Sequence, residues 1–275
     1  MMQVAMITGA SRGIGRAAAL AFAASGFDLV LAGRMRQPGQ QLEHSLLDQN
    51  GQPLPGSLES VADEVRALGR KVWCVHLDLL DNDSVEAAAE QALSLAGRVD
   101  VLINNAVYQG GDLNALLCDL QVDTLQRVAQ AYLIAPFLLS RRLALAMVDQ
   151  QAGVIINVTS GAGESNPPVP AGQGGWGYAY AAGKAAVSRL SGVIKAELGG
   201  KGLRAYTLNP GVVTTEALQA TLGEAGIRAL GAGSAPPEVP AAVMLWLVQQ
   251  DLSGTHQKRT IHAQPFAVEQ QIVPS

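Results

Sequence analysis

Short runs rich in Val, Ile and Leu alternate along this chain with longer stretches in which Ala and Leu recur at helical spacing. Seven of the short runs read as strands: Gln3–Thr8, Asp28–Ala32, Lys71–His76, Val101–Asn104, Val154–Thr159, Leu203–Leu208 and Thr260–Ala263. Val154-Ile155-Ile156 is apolar at consecutive positions, which suits a parallel strand covered on both faces. Helical patterns lie between the strands at Gly13–Ser25, Leu58–Leu68, Ser84–Ala96, Thr124–Val148, Tyr178–Leu198 and Pro237–Gln249.

This alternation predicts βαβ units whose right-handed crossovers wind helices onto both faces of one sheet. The expected fold is α/β: a single-domain, Rossmann-type, doubly wound parallel sheet of about seven strands spanning residues 1–275. Three stretches break the rhythm. Met35–Ser57 is polar and rich in Pro and Gly, and reads as a loop inserted after the second strand. Gly161–Gly177 holds six glycines and three prolines and reads as an irregular loop on the substrate side. Residues 214–235, rich in Ala, Leu and Gly, are expected to form a second substrate-side loop.

Composition narrows the function classes. Apolar residues make up 48% of the chain but aromatics only 4%, so the core must be built from Ala, Leu and Val. A net charge of -4 without a basic tract argues against nucleic acid or an anionic membrane as partner. The apolar run Val4–Thr8 is too short for a secretion signal or a membrane span. Two cysteines, Cys74 and Cys118, lack ligand-spaced neighbours, so no metal site is expected. They read as reduced thiols of a cytoplasmic protein.

Candidate chemistry begins where the first strand meets the first helix, at Thr8-Gly9-Ala10-Ser11-Arg12-Gly13-Ile14-Gly15. Glycines there permit a tight turn and let backbone approach a phosphate, while the helix N-terminus offers unpaired N–H groups. Gly9, Ser11, Arg12, Gly13, Ile14 and Gly15 are therefore candidate cofactor contacts. An NAD binder places an acidic residue after its second strand; this chain has Gly33-Arg34. Arg34 and Arg12 are suited to a 2′-phosphate, which favours NADP(H) over NAD.

Tyr180 and Lys184 are four residues apart in a helical pattern, one turn from each other on one face. A phenol with an ordinary pKa of about 10 is a poor base near neutrality, and a neighbouring ammonium favours its ionised form. Tyr180 is thereby a candidate general acid and base. Ser160 ends the fifth strand and is placed to hydrogen-bond a substrate oxygen. Tyr178, the neighbouring tyrosine, has Ala182 four residues on and so lacks the partner.

The turn, Asn104-Asn105-Ala106, Ser160, Tyr180-x-x-x-Lys184 and Asn209-Pro210-Gly211 occur in an order that resembles the short-chain dehydrogenase/reductase family. That resemblance covers nearly the whole chain. It implies an oxidoreductase moving a hydride between NADP(H) and a small-molecule carbonyl/alcohol pair, with Ser160, Tyr180 and Lys184 as catalytic residues. Lys184 would also bind the nicotinamide ribose. The resemblance further implies adenine contact at Asp78, with Leu79 beside it, and ribose contact at Asn105. Val213 and Thr215 would meet the nicotinamide carboxamide. The residues themselves allow Asp78 to cap the following segment and Asn105 to satisfy strand-end backbone instead. A homodimer or homotetramer is implied as well, through the helix at Thr124–Val148 and the one carrying Tyr180.

Two positions depart from the family pattern. Val107 stands where a glycine is usual. Tyr132 stands where the family commonly has an asparagine that holds a proton-relay water, so a water held by the Tyr132 hydroxyl or by a nearby backbone carbonyl is one expectation and obstruction by its ring the other. The expected pocket walls are Tyr108, the Gly172–Gly177 loop with Trp176, and Leu218–Gly233. Few charges there suit a neutral, partly hydrophobic substrate. Two other functions fit the same residues: an NADP-using epimerase or dehydratase, and a sensor or scaffold that binds NADPH without turnover.

Overall fold

The computed structural model describes residues 2–40, 47–48, 51–220 and 233–273. Seven strands are present among them: β1 (Val4–Thr8), β2 (Asp28–Gly33), β3 (Val72–His76), β4 (Val101–Asn104), β5 (Gly153–Val158), β6 (Leu203–Asn209) and β7 (Ile261–His262). They form one parallel sheet in the order β3-β2-β1-β4-β5-β6-β7. The chain winds outward from β1 in one direction to β3, then returns to β4 and winds the other way. β1, β2, β4 and β5 are buried at every position, as their unbroken apolar runs require.

Helices cover both faces. On one face α1 (Gly13–Ala24) packs beside α2 (Leu58–Ala67) and α7 (Glu238–Gln249), with Ile7, Phe22, Leu29, Val61 and Leu247 in its core. On the other lie α3 (Asn82–Ala96), α4 (Val122–Val128), α5 (Ala135–Asp149) and α6 (Tyr178–Leu198), around Met6, Leu102, Leu139 and Ile155. A last short helix, α8 (Ala263–Glu269), follows β7 directly and has no counterpart in the sequence pattern above. Ends agree with local chemistry. Ser57 and Ser60 form a reciprocal capping box at α2, Asp81 caps α3, and Gly97 ends α3 in the left-handed region at φ 75.

The single helix expected over Thr124–Val148 is interrupted. Residues Ala129–Ile134 form a π-helical turn between α4 and α5. Pro136 stands at the start of α5 and supplies the cause. In a continuous α-helix its ring would meet the carbonyl of Tyr132 four residues back, and it has no N–H to offer that carbonyl. A wider turn relieves both conflicts and directs Tyr132 inward. The whole segment Val122–Asp149 is long and apolar enough to cross a membrane by composition, yet half of its apolar window is buried in the protein. Its outer side carries Arg141 and Arg142, paired with Glu86 and Glu90 of α3.

The described part of the Met35–Ser57 insertion folds back onto the glycine turn. Leu54 and Ser57 are buried, and a Cβ added at Gly56 would lie 2.3 Å from the Ser11 carbonyl oxygen. Residues 216–220, within the expected 214–235 loop, are helical, and most of the remainder of that loop lies outside the described residues.

Beneath the site, polar side chains join sheet and helices. Asn104 and Asn157 sit opposite each other on β4 and β5. The Asn104 amide donates to Asn157 at 2.8 Å and to Ser140 of α5 at 3.0 Å, and Asn157 donates to Ser191 of α6 at 2.9 Å. All four residues are buried, so each lost partner leaves a desolvated group unpaired. Asn157→Ala is expected to destabilise the protein by about 1–3 kcal/mol in urea unfolding. A loss below about 0.5 kcal/mol, the range of an ordinary surface change, would show that the network contributes nothing to stability.

Candidate active site

A cavity of about 740 Å³ opens at the C-terminal ends of β1, β2, β4, β5 and β6. It runs from the glycine turn (Gly9, Ser11, Arg12, Gly13, Ile14), past Arg34, Asp78, Leu79 and Asn105, to Tyr180, Lys184, Val213 and Thr215. Thirteen of the fourteen cofactor-side positions singled out in the sequence, Tyr180 and Lys184 among them, are thus brought to one crevice. Gly15 and Ser160 lie outside the lining, and Ser160 acts on the Tyr180 hydroxyl, favouring its ionised form. The crevice straddles the point where strand order reverses, between β1 and β4, the place where open parallel sheets bind ligands.

The turn needs its glycines for close approach. A Cβ at Gly15 would stand 2.2 Å from the Gly9 carbonyl oxygen, and Gly9 itself has φ 67. Gly13 and Ile14, in the first turn of α1, line the cavity. The Gly13 N–H donates to Glu216 Oε2 at 3.1 Å. A carboxylate from the segment after β6 thus sits at the helix N-terminus, where a phosphate is favoured for the same reason. A phosphate using that N–H displaces Glu216.

Arg12 is the most unusual cation here. Its Nη2 donates to the Met35 sulfur, while its Nε is buried with no hydrogen-bond partner among the described residues. Burial lowers its pKa; Glu216 opposes the shift and Arg34 adds to it. A half-buried, partly unsatisfied guanidinium near a second arginine fits an added anion such as a phosphate. Glycine cradle and arginine pair together fit a dinucleotide carrying an extra phosphate.

Other predicted contacts are engaged in part. Asn105 donates its side-chain amide to the Thr8 carbonyl at 2.9 Å, so it serves the strand end while also lining the cavity. Asp78 Oδ1 accepts from the Leu80 N–H at 3.0 Å and caps its own turn. Thr215 packs on Gly13 and accepts from the Leu218 N–H. Val213 is buried and bridges to Ala235.

At the opposite end Tyr180 and Lys184 project from the first turns of α6. Burial raises the Tyr180 phenol above its ordinary range, and the nearby Ser160 hydroxyl pulls in the opposite direction. Ser160 Oγ also accepts from the Ala162 N–H at 3.3 Å. Lys184 is 4% exposed, and its Nζ donates to the Val158 carbonyl at 2.9 Å. Desolvation pushes its ammonium down to about 7. Thr159, just before Ser160, donates its hydroxyl to the Lys184 carbonyl at 3.0 Å, which bolts the end of β5 to α6.

Tyr132 completes this end. Its hydroxyl donates to the Tyr108 carbonyl at 2.8 Å, and its ring lies 5.4 Å from Lys184 Nζ and edge-on to Tyr180 at 6.4 Å. Burial pushes its own phenol well above the ordinary range. The side chain thereby ties the loop after β4 to the Tyr180–Lys184 pair. Helix α6 accommodates it with Gly183, where a Cβ would come within 2.9 Å of the Tyr132 ring.

The substrate-side walls differ from expectation. Tyr108 lines the cavity, but the Gly172–Gly177 loop and Trp176 do not. That loop turns back on itself through an Ala171–Gly175 bridge, and Gly177 is held by Asn114 at 2.9 Å. Val107, Gln109, Leu113 and Asn114 take its place, and Leu218, the first residue of the expected Leu218–Gly233 wall, lines the cavity as well. Gln109 and Asn114, like Glu216, carried no spacing signal, because they reach the site through tertiary contacts alone.

This arrangement is shared with known proteins. A family model for short chain dehydrogenases matches residues 3–55 and 53–225. A 3-oxoacyl-[acyl-carrier-protein] reductase of Synechocystis sp. is 31% identical over 214 residues, covering 78% of this chain and 75% of the relative. A metagenomic short-chain oxidoreductase solved with NADP superposes with a TM-score of 0.69 at 28% identity, covering 94% of this chain and 96% of that one. A 7α-hydroxysteroid dehydrogenase solved with NADH and a 7-oxo bile acid superposes with a TM-score of 0.75 at 25% identity, covering 94% and 92%. Sheet order, glycine turn and family match converge: the chain belongs to the short-chain dehydrogenase/reductase family of oxidoreductases.

Proposed function

We propose that this protein interconverts a neutral, partly hydrophobic carbonyl compound and its alcohol with NADP(H), using Tyr180 as general acid and base. The observation that carries the reading is the lining of one crevice, which begins in a glycine phosphate turn and ends at Tyr180 and buried Lys184, one helical turn apart. The dinucleotide supplies the hydride in the reductive direction. Ser160 hydrogen-bonds the carbonyl oxygen and turns it toward Tyr180. Tyr180 gives its phenolic proton to that oxygen as the alcohol forms, and recovers it in the reverse direction. Lys184 lowers the cost of the phenolate when protonated. Val107, Leu113 and Leu218 supply apolar wall, and Gln109 and Asn114 supply two polar anchors. Exposed Leu133, Phe137 and Leu145 on the α5 side support pairing with a second copy of the chain.

The NADP preference rests on Arg34 and on Arg12 with its unpartnered Nε. NADPH should bind more tightly than NADH in calorimetric titration, and Arg34→Asp should erase the difference. A hydrogen bond to a charged group contributes about 1.5–3 kcal/mol, so the expected change is about ten-fold or more. Equal dissociation constants in the unmutated protein would refute the preference.

Tyr180→Phe removes one oxygen and should abolish carbonyl-dependent NADPH oxidation, leaving dinucleotide affinity within about two-fold, since it deletes the proton donor alone. A panel of ketones and aldehydes supplies the assay. Retained activity in Tyr180→Phe would assign the proton to another group, and no turnover across the panel would favour the sensor reading.

Lys184 also predicts a pH dependence. Its native pKa of about 7 lies below the value of about 10.4 expected in the unfolded chain. Between those values the unfolded state binds the extra proton, so this group makes stability rise with pH. The unfolding free energy of the natural protein relative to Lys184→Met should therefore grow from pH 7 to pH 9.5, and a constant difference would contradict the desolvated lysine.

A further inference from the structure

A cluster outside the crevice joins the ends of three neighbouring strands. Asn209 is the last residue of β6, Glu164 follows the short turn Gly161–Gly163 that Ser160 opens after β5, and His262 ends β7. Asn209 Oδ1 accepts from the Gly211 N–H at 3.0 Å, a group that can only donate. That contact fixes the amide orientation, so Nδ2 faces the other two residues. It donates to Glu164 Oε1 at 3.0 Å and lies 3.4 Å from His262 Nδ1. His262 Nε2 in turn lies 3.2 Å from Glu164 Oε2.

Donor bookkeeping assigns the imidazole. Because Nδ1 faces an amide N–H it must accept, and a neutral ring then carries its proton on Nε2, pointing at the carboxylate. The three side chains close a ring of hydrogen bonds in which every donor meets an acceptor. Neutral histidine is sufficient for this; no imidazolium is required.

We infer that the Glu164–Asn209–His262 ring is a brace that holds the Ser160 turn against the Pro210–Val213 segment, making Glu164 and His262 positioning residues for hydride transfer. The inference rests on the proposed function above. In that reading Ser160 orients the substrate oxygen, and the segment after Pro210 holds the nicotinamide end. Hydride transfer needs its two reacting atoms about 3–3.5 Å apart, so slack between these two loops reduces turnover steeply. The second loop is anchored from the same side, because Gln264 of α8 donates to the Pro210 and Val212 carbonyls at 3.2 and 2.7 Å. Stability is a poor explanation for the cluster. The His262 and Glu164 side chains are 54% and 24% exposed, and such pairs contribute little to folding.

Two measurements test this. The first is the imidazole nitrogen NMR spectrum of the free protein, with the His262 signals assigned by their loss in His262→Gln. The brace requires the Nε2–H form, shifting to a mixture of forms in Glu164→Ala; an Nδ1–H ring, or no response to Glu164→Ala, overturns it. The second is kinetic, with the carbonyl that the panel identifies. Glu164→Ala and His262→Leu should lower kcat at least about ten-fold while leaving dinucleotide affinity within about two-fold, as expected of misplacement near the reacting atoms. His262→Gln, whose amide can still donate to Glu164, should recover most of the loss. Unchanged kcat in His262→Leu overturns the positioning role, and so does a parallel fall of kcat, affinity and unfolding free energy. A natural protein that turns over no carbonyl, yet shows the Nε2–H form, defeats the proposed function and the positioning role while leaving the ring as structure only.

Discussion

One buried hydroxyl sits where everything else in the site meets. Thr8, at the end of β1, donates to the Ile103 carbonyl at 3.1 Å and accepts from the N–H groups of Asn105 and Ala106 at 3.0 and 2.9 Å. Its single proton and both lone pairs are used, in a place 1% exposed. These bonds splice the strand that feeds the glycine turn to the strand that feeds the loop carrying Tyr108. β1 and β4 are the neighbours between which the winding of the sheet reverses, so their loops diverge to opposite sides and leave the crevice open. Without a local lock the two loops would have no fixed separation, and neither the phosphate end nor the nicotinamide end of the crevice would have a floor.

The same economy recurs deeper and further along the sheet. Asn104 and Asn157 carry it from β4 to β5 and out to α5 and α6, and Thr159 carries it to the Lys184 backbone. Polar groups in these positions are costly unless fully paired, because the surroundings are dry. Once paired they specify one arrangement, which apolar side chains alone do less well. A core of Ala, Leu and Val supplies the driving force for the fold, and this thread of amides and hydroxyls sets where the reactive groups stand on it.

Tyr132 shows how one substitution in such a thread changes local structure. Its ring fills space beside Lys184 and Tyr180, while its hydroxyl holds the Tyr108 carbonyl. The π turn that carries it widens the helix just before Pro136, and Gly183 clears the facing helix. Lys184 beside it is buried, with the Val158 carbonyl as its hydrogen-bond acceptor and an aromatic face as its neighbour. Of the two expectations for Tyr132, the geometry commits the hydroxyl proton to a backbone carbonyl and places the ring, rather than the hydroxyl, against the lysine.

The parallel sheet, its seven strands and most of the helix starts were legible in the sequence because they follow from periodicity and local chemistry: consecutive apolar residues in Val154-Ile155-Ile156, a glycine turn ahead of α1, Tyr180 and Lys184 one helical turn apart. Those signals act over a few residues, so a linear reading captures them. The break in the 124–148 helix was local too, but its cause is a clash between a proline ring and a carbonyl, which apolar spacing does not register. The pairing of Glu216 with Gly13, the roles of Gln109 and Asn114, the withdrawal of Trp176 from the wall, and the Glu164–Asn209–His262 ring belong to another class. Each joins residues from different strand ends, brought together only when the parallel sheet aligns all its C-terminal edges on one side. Sequence determined which chemical groups the chain carries to that edge, and packing of the two helical layers decided which of them touch.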